Sequence, residues 1–214
     1  MTTEVFGGHI AGVGAADGTR VVVGRWLTSP LGRFADVMVE RADGTRLLLA
    51  PDLPVARLVA ATYTFDDVLV APVMIRTDPR TRTWHVRAGR YEATLTIGAR
   101  TGVGQVLRLL PAAVTRTQGF ASLADPVARV LLGGVRTSGS ARDGAHERYA
   151  AADQHRIVDA RQAWGGTDLG PLVPIDPPVR FGFGSVPRTP SVTRVTSHVE
   201  RAPTHAGPGR SDVD

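Results

Sequence analysis

FADVMVERADGTRLLLA, residues 34–50, places two β-prone runs on either side of Ala42-Asp43-Gly44. Val37, Met38 and Val39 precede the break, and Leu47, Leu48 and Leu49 follow it. A three-residue loop with glycine in the left-handed position is a common way to join antiparallel strands. The spacing predicts strands over 34–41 and 45–50, with Arg41 facing Thr45 and Glu40 facing Arg46. Phe34, Asp36, Met38 and Glu40 then share one strand face, because side chains alternate along a strand.

Outward from this hairpin the pattern stays mostly strand and turn. RVVVGRW, residues 20–26, is a β-branched run that stops at the turn sequence Ser29-Pro30-Leu31-Gly32. Downstream, Asp52-Leu53-Pro54 opens a helix to about Tyr63, with Asp52 as N-cap and Pro54 tolerated in the first turn. Leu53, Ala56, Ala60 and Tyr63 fall at helical spacing. A strand over 67–76, the turn Asp78-Pro79-Arg80, and strands over 83–87 and 91–97 make an antiparallel meander. Residues 103–110 read as a short helix closed by Pro111, and 122–132 as another, started at Asp125-Pro126 and stopped by Gly133-Gly134.

Residues 146–164 satisfy two periods at once. Tyr149, Ile157, Ala160 and Trp164 fit a helical stripe, yet Ile157, Asp159 and Arg161 alternate with Val158, Ala160 and Gln162 as on a strand. Residues 179–184 read as a strand with Phe181 and Phe183 on one face and Gly182 and Gly184 on the other, open to close approach by a ligand or another backbone. A final strand covers 192–199. The expected layout is an N-terminal arm at 1–18, one domain at 19–200 and a disordered tail at 201–214, whose sequence has too little apolar surface to order itself.

All 25 basic residues are arginine, and there is no cysteine. Schiff-base lysine chemistry, a P-loop lysine, thiolate nucleophiles, disulfides and cysteine-held metals are thereby excluded. The uniformity of the bias, in a chain rich in Ala, Gly, Val and Pro, is that of a GC-rich genome turning tolerated lysines to arginine. The distribution carries more information than the total. Between Arg76 and Arg116 there are eight arginines against two acids, Asp78 and Glu92, an excess larger than the formal +5 of the whole chain. Residues 1–16 show neither a basic nor an apolar leader region, and no run approaches the ~18 apolar residues that span a bilayer. The expectation is a soluble, cytoplasmic protein with no membrane contact.

Several constellations bear on chemistry. Asp36 and Glu40 lie beside apolar groups on one strand face, where burial would raise a carboxyl pKa towards general acid or base work. Arg46 is the expected cross-strand partner of Glu40, which leaves Asp36 as the functional candidate. His146, Glu147, Arg148, Tyr149, Asp153 and His155 form the densest polar cluster. Asp153 and His155 share a face only on a strand, and neither HExxH spacing nor a third ligand accompanies them, so no metal is expected. Gly12-Val13-Gly14 lacks the third glycine of a dinucleotide fingerprint, where Asp17 stands, and no serine sits in a GxSxG elbow. RTDPRTRTWHVRAGR, residues 76–90, could offer Arg80, Arg82, Arg87 and Arg90 to an anionic partner, with Trp84 and His85 to stack on bases. A solvated hairpin is the preferred reading over a nucleic-acid surface, because alternation turns Trp84 and Val86 inward and His85 and Arg87 outward.

VVVGRWLTSPLGRFADVMVERADGTRLLLAP, ERYAAADQHRIVDA and DLGPLVPIDPPVRFGFGS resemble a family of uncharacterised actinobacterial proteins. More remotely, residues 19–200 resemble the acetoacetate decarboxylase-like superfamily. That resemblance implies an α+β fold, mainly an antiparallel β-barrel with a central pocket and two or three short helices. It also tilts 146–164 towards strand. The superfamily's Schiff-base lysine has no counterpart in a chain without lysine, so no catalytic residue carries over. The expected function is binding of a small organic ligand, carboxylate-bearing for preference, with Asp36, Arg136, Arg148, Tyr149 and His155 as pocket residues and no cofactor. Any catalysis would use acid–base or electrostatic chemistry. The alternative is an interaction protein that holds an anionic partner through the basic 76–116 segment.

Overall fold

Gly44 takes a left-handed φ of +87°, and the Arg41 N–H donates to the Thr45 carbonyl at 2.9 Å, so the hairpin closes in the expected register with Glu40 opposite Arg46. The computed structural model describes residues 2–109, 138–140, 146–182 and 186–201. In chain order the strands and helices are β1 (Thr2–Ala15), β2 (Arg20–Thr28), β3 (Phe34–Glu40), β4 (Arg46–Ala50), α1 (Leu53–Thr62), β5 (Asp67–Val70), β6 (Val73–Asp78), β7 (Thr83–Ala88), β8 (Tyr91–Arg100) and α2 (Gly102–Leu109). Then come β9 (Ser138–Ser140), β10 (His146–Trp164), β11 (Thr167–Asp168), β12 (Leu172–Val173) and β13 (Ser191–Arg201).

One sheet runs in the order β5-β4-β3-β2-β1-β13-β10-β8-β7-β6, with β9 and β11 added to β10 and β12 to β1. All of its pairings are antiparallel except β4 with β5. The sheet curls until β6 returns against β3, giving a half-barrel. With two helices among the described residues, this is the expected α+β, antiparallel barrel-like class.

Alternation splits the apolar residues between the two faces. Val13, Val21, Val23, Val37, Leu49, Val86, Tyr91 and Leu95 fill the concave side. Val22, Met38, Leu48 and Ala50 face outward, where α1 and residues 174–182 cover them with Val55, Val59, Ile175, Val179 and Phe181. The helix starts as expected: Asp52 is the N-cap, its Oδ1 accepting from the Val55 N–H at 2.9 Å, and Val55, Ala56 and Val59 form its buried face. On the concave side, the Tyr91 hydroxyl donates to Gln162 Oε1 at 3.0 Å and Gln162 Nε2 donates to the Gly14 carbonyl at 3.2 Å. This buried chain ties β8, β10 and β1 together while leaving no polar atom of Gln162 unpaired.

The structure corrects four expectations. Most of the expected 1–18 arm, Thr2–Ala15, is β1, a central strand between β2 and β13. Its glycines, which lower β-propensity, are what the neighbours require: a Cβ on Gly8 would run into the backbone of Arg25 and Trp26. The strand expected over 67–76 is two, β5 and β6, broken at Ala71-Pro72, where proline supplies no ladder N–H. Residues 179–182 are not a strand, because the Arg180 N–H is spent on the Glu40 carboxylate and Gly182 turns the chain at φ +128°. Finally, Glu40 does not pair with Arg46. Arg46 grips Asp66 with two guanidinium nitrogens, at 2.7 and 3.0 Å, and Glu40 pairs with Arg20 and Arg180.

Residues 146–164 resolve as strand, and the Trp84/Val86 inward, His85/Arg87 outward alternation holds along β7. The helix expected over 122–132, Phe183, and the tail from 202 onward lie outside the described residues. Among the described residues no helix is long and apolar enough to cross a membrane.

Candidate functional site

The concave face ends in charge. On β1 the inward row Val13, Ala11 continues to His9; on β2 Val21 and Val23 continue to Arg25; on β13 Val192 continues to Arg194. The register sets these ends side by side: His9 is opposite Arg25 on one flank and opposite Arg194 on the other, and Arg194 is opposite Asp153 of β10. With adjacent strands about 4.8 Å apart, four strands present Arg25, His9, Arg194 and Asp153 as one transverse row. Arg100 of β8 extends it by binding Asp153 through Nε and Nη2, at 2.7 and 2.9 Å.

These residues border a cleft of about 630 Å³ with Trp84, Ile97 and Val192 as its apolar wall. Arg82, Arg108, Asp78 and His155 complete the rim. Five guanidinium groups therefore meet two carboxylates. Asp153 is neutralised by Arg100, which holds its carboxyl down at about 2, and Asp78 accepts from the Arg80 and Thr81 backbone N–H groups, which also lowers its pKa. Arg25 lies over the Trp84 ring at 5.9 Å from its centroid, and His9 meets the same ring edge-on at 6.0 Å. Neither Arg25, Arg108 nor Arg194 has an ion-pair partner among the described residues.

His9 is held neutral. Burial pushes its pKa below the ordinary imidazole value, and Arg25 and Arg194 push it further, against a smaller upward pull from Asp153. Its Nδ1 is shut away from solvent without a hydrogen-bond partner.

Of the candidate residues singled out in the sequence, Arg82, Trp84, Asp153 and His155 stand at this cleft. His155 Nε2 lies 3.5 Å from Asp153 Oδ2, its Nδ1 lies 3.3 Å from the Gly98 carbonyl, and Arg82 Nη2 donates to the same carbonyl. Asp36 faces the opposite side of the sheet, fully enclosed, where the Trp26 indole N–H donates to its Oδ1 at 2.9 Å. Its carboxyl is indeed raised, to about 6, by burial against the smaller opposing effect of that hydrogen bond. Arg148 and Tyr149 are on β10 opposite His198 and Ser197, with their side chains outside the described residues, as is Arg136 altogether.

The basic segment is divided by the fold. Arg82, Arg100 and Arg108 turn to the concave cleft, whereas Arg76 and Arg87 line a second, outer groove of about 840 Å³ with His85, Glu92, Asp159, Arg161 and Asp168. Arg87 sits 3.9 Å from Glu92, Arg90 packs over Trp164 at 5.8 Å, and Arg80 is at an exposed turn. Acid interleaves with base in the outer groove, so the free positive charge concentrates in the concave cleft. Among the described residues no three His, Asp or Glu side chains gather to hold a metal.

His9, Arg25 and Arg194 escape sequence reading because each is isolated in the chain, and only strand pairing brings them together. The available signal was parity: in VVVGR the inward row Val21, Val23 ends on Arg25, and in SVTR Val192 ends on Arg194.

No protein-family model matches the chain, and no curated protein does. Among solved structures, a candidate AttH from Nitrosomonas europaea is similar at 11% identity and a TM-score of 0.27. The match covers 90% of this chain, which spans 38% of that one. At that score the likeness carries no inference about fold or ligand.

Proposed function

We propose that the protein binds a small organic anion in the concave cleft, with Arg25 and Arg194 as the principal anion-holding residues and Trp84, Ile97 and Val192 against the organic part. The observation that carries this reading is the unneutralised guanidinium row at the mouth of an otherwise apolar concave face. Cationic side chains gathered on one surface repel each other, and a partly enclosed site strengthens their attraction for an incoming anion relative to open water. Guanidinium suits this role because its planar fork meets a carboxylate with two parallel hydrogen bonds. A carboxylate-bearing ligand is therefore within the site's chemistry, with His155 and Arg82 at its edge.

The proposal is one of binding. The cleft contains no lysine or cysteine, so a decarboxylase working through a Schiff base is excluded on chemical grounds. Arg100 and Asp153 act as a support. Their bidentate bond fixes the β8–β10 edge of the site and keeps Asp153 from cancelling Arg194.

A thermal-shift titration with benzoate tests the reading. Benzoate raises the melting temperature of the native protein, and raised ionic strength weakens the effect because the site is open to solvent. The double variant Arg25→Gln/Arg194→Gln binds about tenfold more weakly or worse, given the strength of charge-assisted hydrogen bonds. The outer-groove double variant Arg76→Gln/Arg161→Gln leaves binding unchanged. No shift in the native protein, or equal shifts in native and Arg25/Arg194 variants, would refute it.

A further inference from the structure

We infer that the Arg25–His9–Arg194 row is a headgroup subsite for a phosphomonoester: a doubly charged group with three terminal oxygens, carried on a small organic body that lies along Trp84. The inference rests on the anion-binding reading of the concave cleft and narrows it to one class of anion.

Donor count supports it. Arg25 and Arg194 flank His9 on adjacent strands, and each brings a fork of N–H donors with no carboxylate partner among the described residues. His9 sits between them with no hydrogen-bond partner there either, and its Nδ1 is buried. A single guanidinium can bind both oxygens of a carboxylate at once, with a further lone pair left on each. Two guanidiniums and an imidazole on three neighbouring strands can each meet a separate oxygen of a phosphomonoester, whereas the two oxygens of a carboxylate would have to be shared among them.

Charge supports it independently. After Arg100 and Asp153 cancel, Arg25, Arg82, Arg108 and Arg194 face Asp78 alone across the cleft. A monoanion would leave most of that repulsion in place, while a dianion removes more of it. The charged groups that bear on His9 come from β2, β13 and β10, namely Arg25, Arg194 and Asp153. Burial first, and then both arginines, hold the imidazole pKa below its ordinary value, so the neutral ring adds a hydrogen-bonding group to the subsite without adding to the repulsion. The outer groove has no such arrangement, since Glu92, Asp159 and Asp168 stand among its arginines.

Calorimetric titration of the full chain with phenyl phosphate, benzenesulfonate and benzoate tests the inference, since the three share one ring and differ in headgroup. At about pH 8, where a phosphomonoester with a second pKa near 6 is a dianion, phenyl phosphate binds about tenfold more tightly than either monoanion. Arg194→Gln removes most of that advantage and does not lower the melting temperature of the free protein, because Arg194 is exposed. His9→Gln reduces phenyl phosphate binding more than benzoate binding. Equal affinities for phenyl phosphate and benzoate would overturn the phosphomonoester assignment while leaving the anion cleft standing. Benzenesulfonate equal to phenyl phosphate would overturn the requirement for two charges. Failure of all three to bind would remove the cleft reading itself, and this inference with it.

Discussion

Replacing Glu40 by alanine destabilises the fold by about 3–5 kcal/mol, the usual cost of removing one member of a buried ion pair. Glu40 has no exposed side-chain surface and Arg20 only 6%. The carboxylate is bound by Arg20 at 3.1 Å and by the backbone N–H and Nε of Arg180, both at 2.7 Å. Arg20 also donates to the Pro177 carbonyl at 3.0 Å. The group therefore fastens residues 177–180 onto the outer face of β2 and β3, over the second apolar cluster. Truncating Glu40 leaves the Arg20 charge buried without a counter-ion and frees the Arg180 backbone. For a chain of this size, the melting temperature falls by on the order of 10 °C. Arg20→Leu/Glu40→Leu recovers much of the loss, because replacing both partners removes the uncompensated charge. Asp66→Ala, which breaks the solvent-exposed pair with Arg46, changes stability little. Urea unfolding of the four proteins checks the ordering. A Glu40→Ala protein as stable as the native one would show that the group does not hold the outer layer.

The second large effect is a pH dependence centred on Asp36. Its carboxyl is raised from 3.8 to about 6 by burial. At low pH the group is protonated in both folded and unfolded chains and costs nothing. As pH rises past about 4, the unfolded chain releases its proton while the folded one retains it, and stability falls. The loss is complete above about pH 6, where it amounts to about 3 kcal/mol. Asp36→Asn keeps an oxygen acceptor for the Trp26 indole and does not titrate. The native protein should therefore lose stability relative to Asp36→Asn between about pH 4 and 6, with parallel profiles above. Urea midpoints across this range measure the difference. Profiles parallel throughout would mean that Asp36 titrates as an ordinary solvated carboxyl.

Both effects concern residues visible in the first hairpin, and they show what local sequence could and could not reveal. The turn at 42–44, the register of Glu40 against Arg46 and the burial of Asp36 follow from strand alternation within a few residues. The partner of Glu40 does not, because Arg180 arrives from 140 residues away. In the same way β1 was hidden by its glycines, GGHIAGVG, which weaken a strand in isolation and admit close neighbours once the sheet forms. With β1 unrecognised, His9 had no neighbours in the sequence reading, and the row it makes with Arg25 and Arg194 could not be assembled. His155 was legible because it shares a strand face with Asp153 at short range, although a bulge between Ala151 and Asp153 shifts the β10 register nearby. The basic segment was legible as charge, but its division between two faces depends on the pairing of β6, β7 and β8.

The most direct measurement of anion binding in the concave cleft is a benzoate titration of isotope-labelled protein, followed at the arginine side-chain Nε–Hε resonances. The expected result is that Arg25 and Arg194 shift together along one saturating curve while Arg76 and Arg161 stay in place. Shifts confined to Arg76, Arg87 and Arg161, or resonances of Arg25 and Arg194 that do not move, would contradict it.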